Sequence, residues 1–203
     1  MQNVIAINEA GRQGIAAARA TTDEMLLASI AAGDRTAMHT LYSRHHVRVY
    51  RFILRMLRDA ATAEDLVSQV FLDVWRTARQ FEGRAQVSTW LLSIARFKAL
   101  TALRQRQHED IDQDDVLDIP DGADNPEAAL ERSRTSDILR ACIARLTPAH
   151  REIINLVYYH EKSVEEVGRI VGIPQSTVKT RMFYARKQLG ELLKRHGVET
   201  MAA

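Results

Sequence analysis

The stretch SVEEVGRIVGIPQSTVKTRMFYARKQLGELL, Ser163 to Leu193, predicts two helices joined by a tight turn. In the first, Val164, Val167, Ile170 and Val171 recur at helical spacing as an apolar stripe. Gly172 stands where the helix must stop and a left-handed backbone costs least. Pro174 follows where a second helix begins, its φ already set and no N–H to waste. The second helix buries Val178, Met182, Ala185, Leu189 and Leu192. Its other face carries Gln175, Ser176, Thr177, Lys179, Thr180, Arg181, Tyr184, Arg186 and Lys187. Gly168 falls where the helices come closest, and Ile173 closes the turn. This is the pattern of a helix-turn-helix. A face of hydroxyls, an amide and cations can donate to phosphates and read base edges in a major groove. A solvated basic face is the plainer reading. The Gly–Ile–Pro turn, the small residue at the crossing and the clustered cations together favour DNA.

The chain has 203 residues, enough for one or two domains. Hydrophobic content of 46% supports real cores, and nine Gly and four Pro leave few breaks in long helices. No alternation of β-branched residues suggests a sheet, so the expected fold is all-α. The single Cys142 excludes an internal disulfide and fits a reducing compartment. No apolar run approaches the roughly 18 residues of a membrane span. Met1 to Ala20 has no compact apolar core of a signal peptide, so the expectation is a cytoplasmic protein without direct membrane insertion. Net charge is only +2, but it is unevenly spread. Asp23 to Gln107 holds 13 Lys+Arg against 8 acids, and Arg132 to His196 holds 13 against 6. Between them, His108 to Glu131 has 10 acids and no Lys or Arg. Two basic segments, each able to meet a polyanion, flank an acidic one.

Residues 1–20 read as a loose arm, and 197–203 as a short tail. Thr21 with Glu24 makes a capping box for a helix over Thr22 to Ala32 that buries Met25, Leu26 and Ile30. Gly33 ends it, and Asp34 caps a long helix, Arg35 to Arg58, on Ala37, Leu41, Val49, Phe52, Ile53 and Met56. His45 lies on that stripe and reads as a satisfied or half-buried histidine rather than a metal ligand. His39 and His46 point elsewhere, so no ligand set converges. Thr62 with Asp65 starts a third helix, Ala63 to Gln80, on Leu66, Val67, Val70, Phe71, Val74 and Ala78. Its acidic-polar face, with Asp65, Gln69 and Asp73, suits a basic partner, although a solvated face is the commoner reading.

Gly83 then opens a short loop, and Ser88 caps a helix from Thr89 with Trp90, Leu91, Ile94 and Leu100 facing in. Arg96, Lys98, Arg104 and Arg106 face out beside Trp90 and Phe97. Cations among aromatics suit single-stranded nucleic acid, the cations following the backbone and the rings stacking on bases. Core aromatics with solubilising cations account for the same pattern equally well. His108 to Glu127, with Pro120, Gly122 and Pro126, reads as an acidic flexible linker, too long for a connection inside one domain. It is a solvated tether, or its acids mimic nucleic acid in a partner's basic channel. The second domain, 128–196, opens with a helix from Glu127 to Arg145 carrying Ala129, Leu130, Ile138, Leu139 and Ile143. Thr147 and Pro148 start the next, which runs to Tyr159 on Ile153, Ile154 and Val157. Ser163 and Glu166 form the capping box of the helix-turn-helix.

Together these segments resemble bacterial RNA polymerase sigma factors of the extracytoplasmic-function class. AEDLVSQVFLDVWR, Ala63 to Arg76, is similar to the family's polymerase-docking helix. STWLLSIAR, Ser88 to Arg96, resembles its promoter-melting segment. LTPAHREIINLVYYHEKSVEEVGRIVGIPQSTVKTRMFYARKQL, Leu146 to Leu189, resembles its −35-reading domain. The resemblance implies that 21–107 is a region 2 domain and 128–196 a region 4 domain. It implies that Asp65, Gln69 and Asp73 dock on core polymerase. It implies that Glu82, Gly83, Arg84, Ala85, Gln86 and Val87 form the loop that captures a flipped −10 base. Trp90, Arg96, Lys98 and Arg104 would hold the melted strand. Gln175, Ser176, Thr177, Lys179, Thr180, Arg181, Tyr184 and Arg186 would meet the −35 element. Phe97 stands where the family often has Asn, Thr101 where it often has Asp, and Ser68 and Gln69 where it often has Gln and Glu. An anti-sigma factor is a further implied partner. The implied protein is an initiation factor rather than an enzyme, with no cofactor, metal or small-molecule substrate. The sequence offers no Gly-rich phosphate loop, metal spacing or nucleophile–base pair. A stand-alone helix-turn-helix regulator with a ligand-sensing first domain is the competing class.

Overall fold

The computed structural model describes residues 21–109 and 136–197, and these are helical with no strand among them. The chain divides into two compact units, Met1–Ile111 and Asp112–Ala203. The arm, nearly all of the acidic linker, and Ala129 and Leu130 lie outside the described residues.

In the first unit, α1 spans Asp23–Ala31, α2 Arg35–Leu57, α3 Ala60–Thr77 and α4 Val87–Glu109. Thr22 caps α1 by accepting from the Met25 N–H, and Asp34 caps α2 by accepting from Thr36 and Ala37. The core is made by Leu26, Leu27, Ile30, Leu41, Val49, Phe52, Ile53, Val70, Val74, Leu91 and Leu92. Met25, expected inside, is 58% exposed. The buried stripe of α1 is Leu26, Leu27 and Ile30, which turns Met25 outward. His45 is buried and satisfied, its Nε2 2.6 Å from Asp23 Oδ2. Asp23 also accepts from Arg44 Nη1 at 2.9 Å, and Arg44 donates to the Thr21 carbonyl at 2.8 Å.

Helix α3 begins three residues before its expected start. Asp59, rather than Thr62, is the cap, and its carboxylate accepts from the Thr62 N–H at 3.1 Å. The Thr62 hydroxyl is turned onto Asp59 Oδ2 at 3.0 Å, so it does not cap. Arg106 of α4 pairs with the same carboxylate and donates to Thr62 Oγ1 at 2.8 Å. The Thr62 N–H, then Arg106, hold the Asp59 carboxyl below its ordinary value. Arg106, read as outward from the sequence, therefore ties the far end of α4 to the start of α3. Helix α4 also starts early, at Val87, so Ser88 lies in its first turn and is not its cap. The Gln86 carbonyl accepts from Thr89 and Trp90 there. Val87, expected in the capture loop, is 1% exposed and belongs to the core. The inward face of α4 is Val87, Leu91, Leu92, Ala95 and Ala99, which leaves Trp90, Ile94 and Leu100 half-buried. The helix runs to Glu109, two residues into the expected linker.

In the second unit, α5 covers 136–144 and α6 spans Pro148–Ile154. Thr147 caps α6 with Pro148 in its first turn, as expected. The expected continuation to Tyr159 is instead a π-helical turn, Asn155–Tyr159. The wider turn changes the phase. Leu156 is buried, Val157 half-buried, and Tyr158 and Tyr159 are exposed. Helix α7 spans Val164–Val171 and α8 Gln175–Arg195. The Ser163–Glu166 capping box is formed. Lys162, placed in a turn by the sequence, is buried, and its Nζ lies 2.8 Å from Glu166 Oε1. Gly172 caps α7 at φ 74°, the left-handed stop expected of it. Cys142, Leu146, Ile154, Ala185, Leu192 and Leu193 form one core cluster, with Ile138, Leu139, Ile143 and Leu189 packed against it.

A Cβ on Gly168 would sit 2.9 Å from the Ile173 carbonyl oxygen and 3.9 Å from Val178 Cγ2. The nearest obstacle is therefore the turn backbone, with the second helix behind it. Gly168→Ala gains about 1 kcal/mol of helix propensity and loses about 1–3 kcal/mol to overpacking. Net destabilisation in urea unfolding followed by circular dichroism is the expected result; a net gain would show that the turn yields freely. The Asp23 carboxyl is held below its ordinary value of 3.8, chiefly by the hydrogen bond to His45, against the opposing effect of burial. Its contribution to stability is present above that ordinary value and is lost as pH falls through the lower folded one. Acidification from about pH 5 to pH 2 should destabilise the wild type more than Asp23→Asn. Parallel urea midpoints at each pH would rule this out.

Candidate nucleic-acid and docking interfaces

Helix α8 faces two ways. Val178, Ala185 and Leu192, spaced by seven, are buried, while Met182 and Leu189 are half-buried at the margin. Directly opposite, Ser176, Thr180, Phe183 and Lys187 run along the outside at the same helical spacing. Gln175, Lys179, Tyr184 and Arg186 are also exposed, whereas Thr177 and Arg181 are half-buried on the flank. The Thr180 hydroxyl donates to the Ser176 carbonyl at 3.0 Å. Phe183 is 58% exposed and stands edge-on to Tyr184, with ring centroids 5.4 Å apart. The sequence reading passed over Phe183 because it treated the outer face as polar only. Its spacing of seven from Ser176 was the available signal.

In the first unit, the outward stripe of α3 is Asp65, Ser68, Gln69, Leu72 and Arg76. Leu72 was also missed, an apolar residue among polar neighbours that is as exposed as they are. Asp73 sits to one side of this stripe. Its carboxylate takes Lys98 Nζ of α4 at 2.7 Å. The expected docking residue and the expected strand-holding residue thus neutralise one another in the free protein. Such a half-exposed pair is worth about 0–1 kcal/mol. It leaves Asp65 and Gln69, of the three expected docking residues, on the open face.

Between α3 and α4, Glu82, Gly83, Arg84 and Gln86 are exposed and Ala85 is half-buried. Gly83 takes φ 69°, which lets the loop reverse. Arg84 Nε lies 2.5 Å from Glu82 Oε2. Trp90 packs against Phe81, centroids 5.2 Å apart, so one side of its ring is fixed. Arg96 is half-buried and Arg104 exposed. Among the described residues there is no group of three His, Cys, Asp or Glu able to hold a metal ion, and no helix long and apolar enough to cross a membrane.

Residues 41–109 match sigma-70 region 2 and residues 142–191 match sigma-70 region 4. The chain is 32% identical over 181 residues to the ECF RNA polymerase sigma factor SigK of Mycobacterium ulcerans, covering 83% of this chain and 91% of that one. It belongs to the ECF-class RNA polymerase sigma factors. The RNA polymerase sigma factor CarQ of Myxococcus xanthus is also 32% identical, over 164 residues, with 79% of this chain and 91% of that one covered. Two solved structures share the fold at 23% identity and a TM-score of 0.63. One is the sigma factor RpoE with the anti-sigma factor NepR from Bartonella quintana, covering 75% of this sigma factor and 94% of that chain. The other is CnrH with the cytosolic domain of CnrY, covering 86% and 99%. Region 2 takes in α3, α4 and most of α2, and region 4 takes in the whole helix-turn-helix, in the order expected from the sequence. The family is one of transcription initiation factors.

Proposed function

We propose that this sigma factor divides its work between surfaces that its two units build separately. The single observation that carries this reading is the outward stripe of α8, opposite a fully buried one. In this assignment α8 enters the major groove of the −35 element. Ser176 and Thr180 meet base edges; Lys179, Arg181 and Arg186 meet phosphates; and Gln175, Thr177 and Tyr184 fit the groove walls. Residues 21–107 dock on core polymerase through Asp65, Gln69 and the neighbouring Leu72. The loop from Glu82 to Gln86 takes a flipped −10 base. Trp90, Arg96 and Arg104 hold the melted strand, joined by Lys98 once Asp73 releases it. Flipping costs a few kcal/mol, recovered by stacking and a shaped pocket. Residues 108–127 join the two domains as a tether. The factor has no catalytic step of its own and acts in the cytoplasm on double-stranded and melted promoter DNA. The complex of RpoE with the anti-sigma factor NepR supports an anti-sigma factor as its regulator.

Run-off transcription with core polymerase and a promoter library tests the whole reading. Discrete starts that need this protein are expected, and their absence, with no stable core complex, overturns it. On an identified promoter, Lys179→Ala should weaken −35 duplex binding about equally across sequences and reduce the salt slope by about 1. A change in sequence preference instead would reassign Lys179 to base reading. Asp65→Arg should lower core affinity about tenfold or more by like-charge contact with a basic partner. Asp73→Ala should matter less, because its carboxylate already faces Lys98. The reverse order in a core-binding titration would move the docking face toward α4.

A further inference from the structure

Arg35 to Arg58, helix α2 with its cap, holds six arginines and no Asp or Glu. Arg44, Arg48, Arg51 and Arg55 recur at spacings of four, three and four, so they share one face, and Arg58 follows at the cap. At 1.5 Å per residue the row extends about 21 Å. Leu41, His45, Val49, Phe52 and Ile53 are buried on the inward side of the helix. Arg48 and Arg51, in the middle of the row, are exposed and make no side-chain hydrogen bond or ion pair among the described residues. The carboxylates that adjoin the helix are engaged elsewhere. Asp34 caps its start, Asp23 takes Arg44 and His45, and Asp59 takes the Thr62 N–H and Arg106. The centre of the row therefore stays uncompensated. Because Arg106 pairs with Asp59, next to Arg58, the row ends at the same end of the unit as α4 does.

We propose that this arginine row is a phosphate-binding ridge that lies along the backbone of double-stranded promoter DNA, with Arg48 and Arg51 as its central contacts. Charge selects the class of occupant. A line of repeated, uncompensated cations matches an anion whose charges also repeat along a line. The guanidinium fork suits phosphate oxygens in particular. The lack of rings selects a duplex over an unpaired strand. The other residues on this face are Thr40 and Val47, and neither can stack on a base. Tyr42 lies on another side of the helix, stacked on His46 with centroids 4.8 Å apart. Unpaired strands are held by cations together with aromatic platforms, whereas a duplex keeps its base faces stacked and offers phosphates. A protein partner with acids would need apolar contact as well, and Val47 is the one apolar side chain exposed on this face. Phosphate contacts carry no sequence information, so the ridge adds affinity for the duplex without choosing the promoter.

The inference rests on the proposed promoter-binding role, and its test keeps the two apart. Holoenzyme is made with the wild type, with Arg48→Ala plus Arg51→Ala, or with Arg48→Lys plus Arg51→Lys. Each is titrated over a range of salt on a duplex promoter kept cold enough to stay closed, and on one strand of the same sequence. Each sigma factor is also titrated on core polymerase. Wild-type run-off transcription checks the underlying role, and its failure removes that role and this inference together. With that activity present, the alanine pair should reduce the slope of log affinity against log salt on the duplex by about 2. Between about 50 and 200 mM salt the wild type should then lose about tenfold more affinity than the alanine pair. The lysine pair should keep the wild-type slope. Binding to the single strand and to core should not change. Equal duplex slopes for the wild type and the alanine pair overturn the inference. So does an equal loss on the single strand, which would make the row a strand contact. A loss of core affinity with the duplex slope intact also overturns it and makes the row a protein contact. Both side chains are exposed, so equal thermal midpoints are expected and ensure that folding does not account for the result.

Discussion

Val178, Ala185 and Leu192 face inward along α8, and their burial sets which way the helix presents everything else. Burying one stripe of a helix forces the opposite stripe into solvent. That is why Ser176, Thr180, Phe183 and Lys187 form a continuous outer edge. The angle at which this edge is held depends on a tighter constraint. Gly168 lets α7 approach the turn so closely that a Cβ would sit 2.9 Å from the Ile173 carbonyl. Gly172 then reverses the chain with a left-handed backbone. Helix α8 is positioned by the absence of two side chains as much as by the presence of any.

The first unit is fastened differently. Its apolar core sets α2, α3 and α4 against one another, and polar ties fix their ends. Asp59 caps α3 and accepts Arg106 from the last turns of α4. Asp73 takes Lys98 near the middle of α4. Both ties join the proposed docking helix to the proposed strand-holding helix. Asp73 and Lys98, expected on different surfaces, therefore share one ion pair. Each of the two ties is partly exposed, so breaking it costs little.

The same physical logic accounts for the likeness to sigma factors of low identity. At 23% identity, RpoE and CnrH keep the fold. Helix packing needs an apolar stripe at the right period, stops at the right places and small residues at crossings. Many sequences meet those demands. Outer faces carry no such packing demand, so Leu72, Phe97 and Phe183 stay exposed without cost to the fold.

Much of this was legible in the sequence because helical period, caps and breakers act over a few residues. The helix-turn-helix from Ser163 onward, the stop at Gly172, the caps at Asp34 and Thr147 and the buried His45 all follow from local chemistry. The sequence also determined where the charge lies and which family order the segments follow. Tertiary structure decided what local rules cannot reach. Asp59 displaced Thr62 as a cap because Arg106, distant in sequence, shares its carboxylate. Val87 left the loop because α4 begins there and turns its side chain into the core. The π-helical turn after Ile154 rotated Leu156 inward, since one extra residue per turn changes the phase without changing the composition. Asp73 and Lys98 found one another because α3 and α4 pack side by side, and sequence spacing carries no information about which of two exposed charges a neighbouring helix will claim.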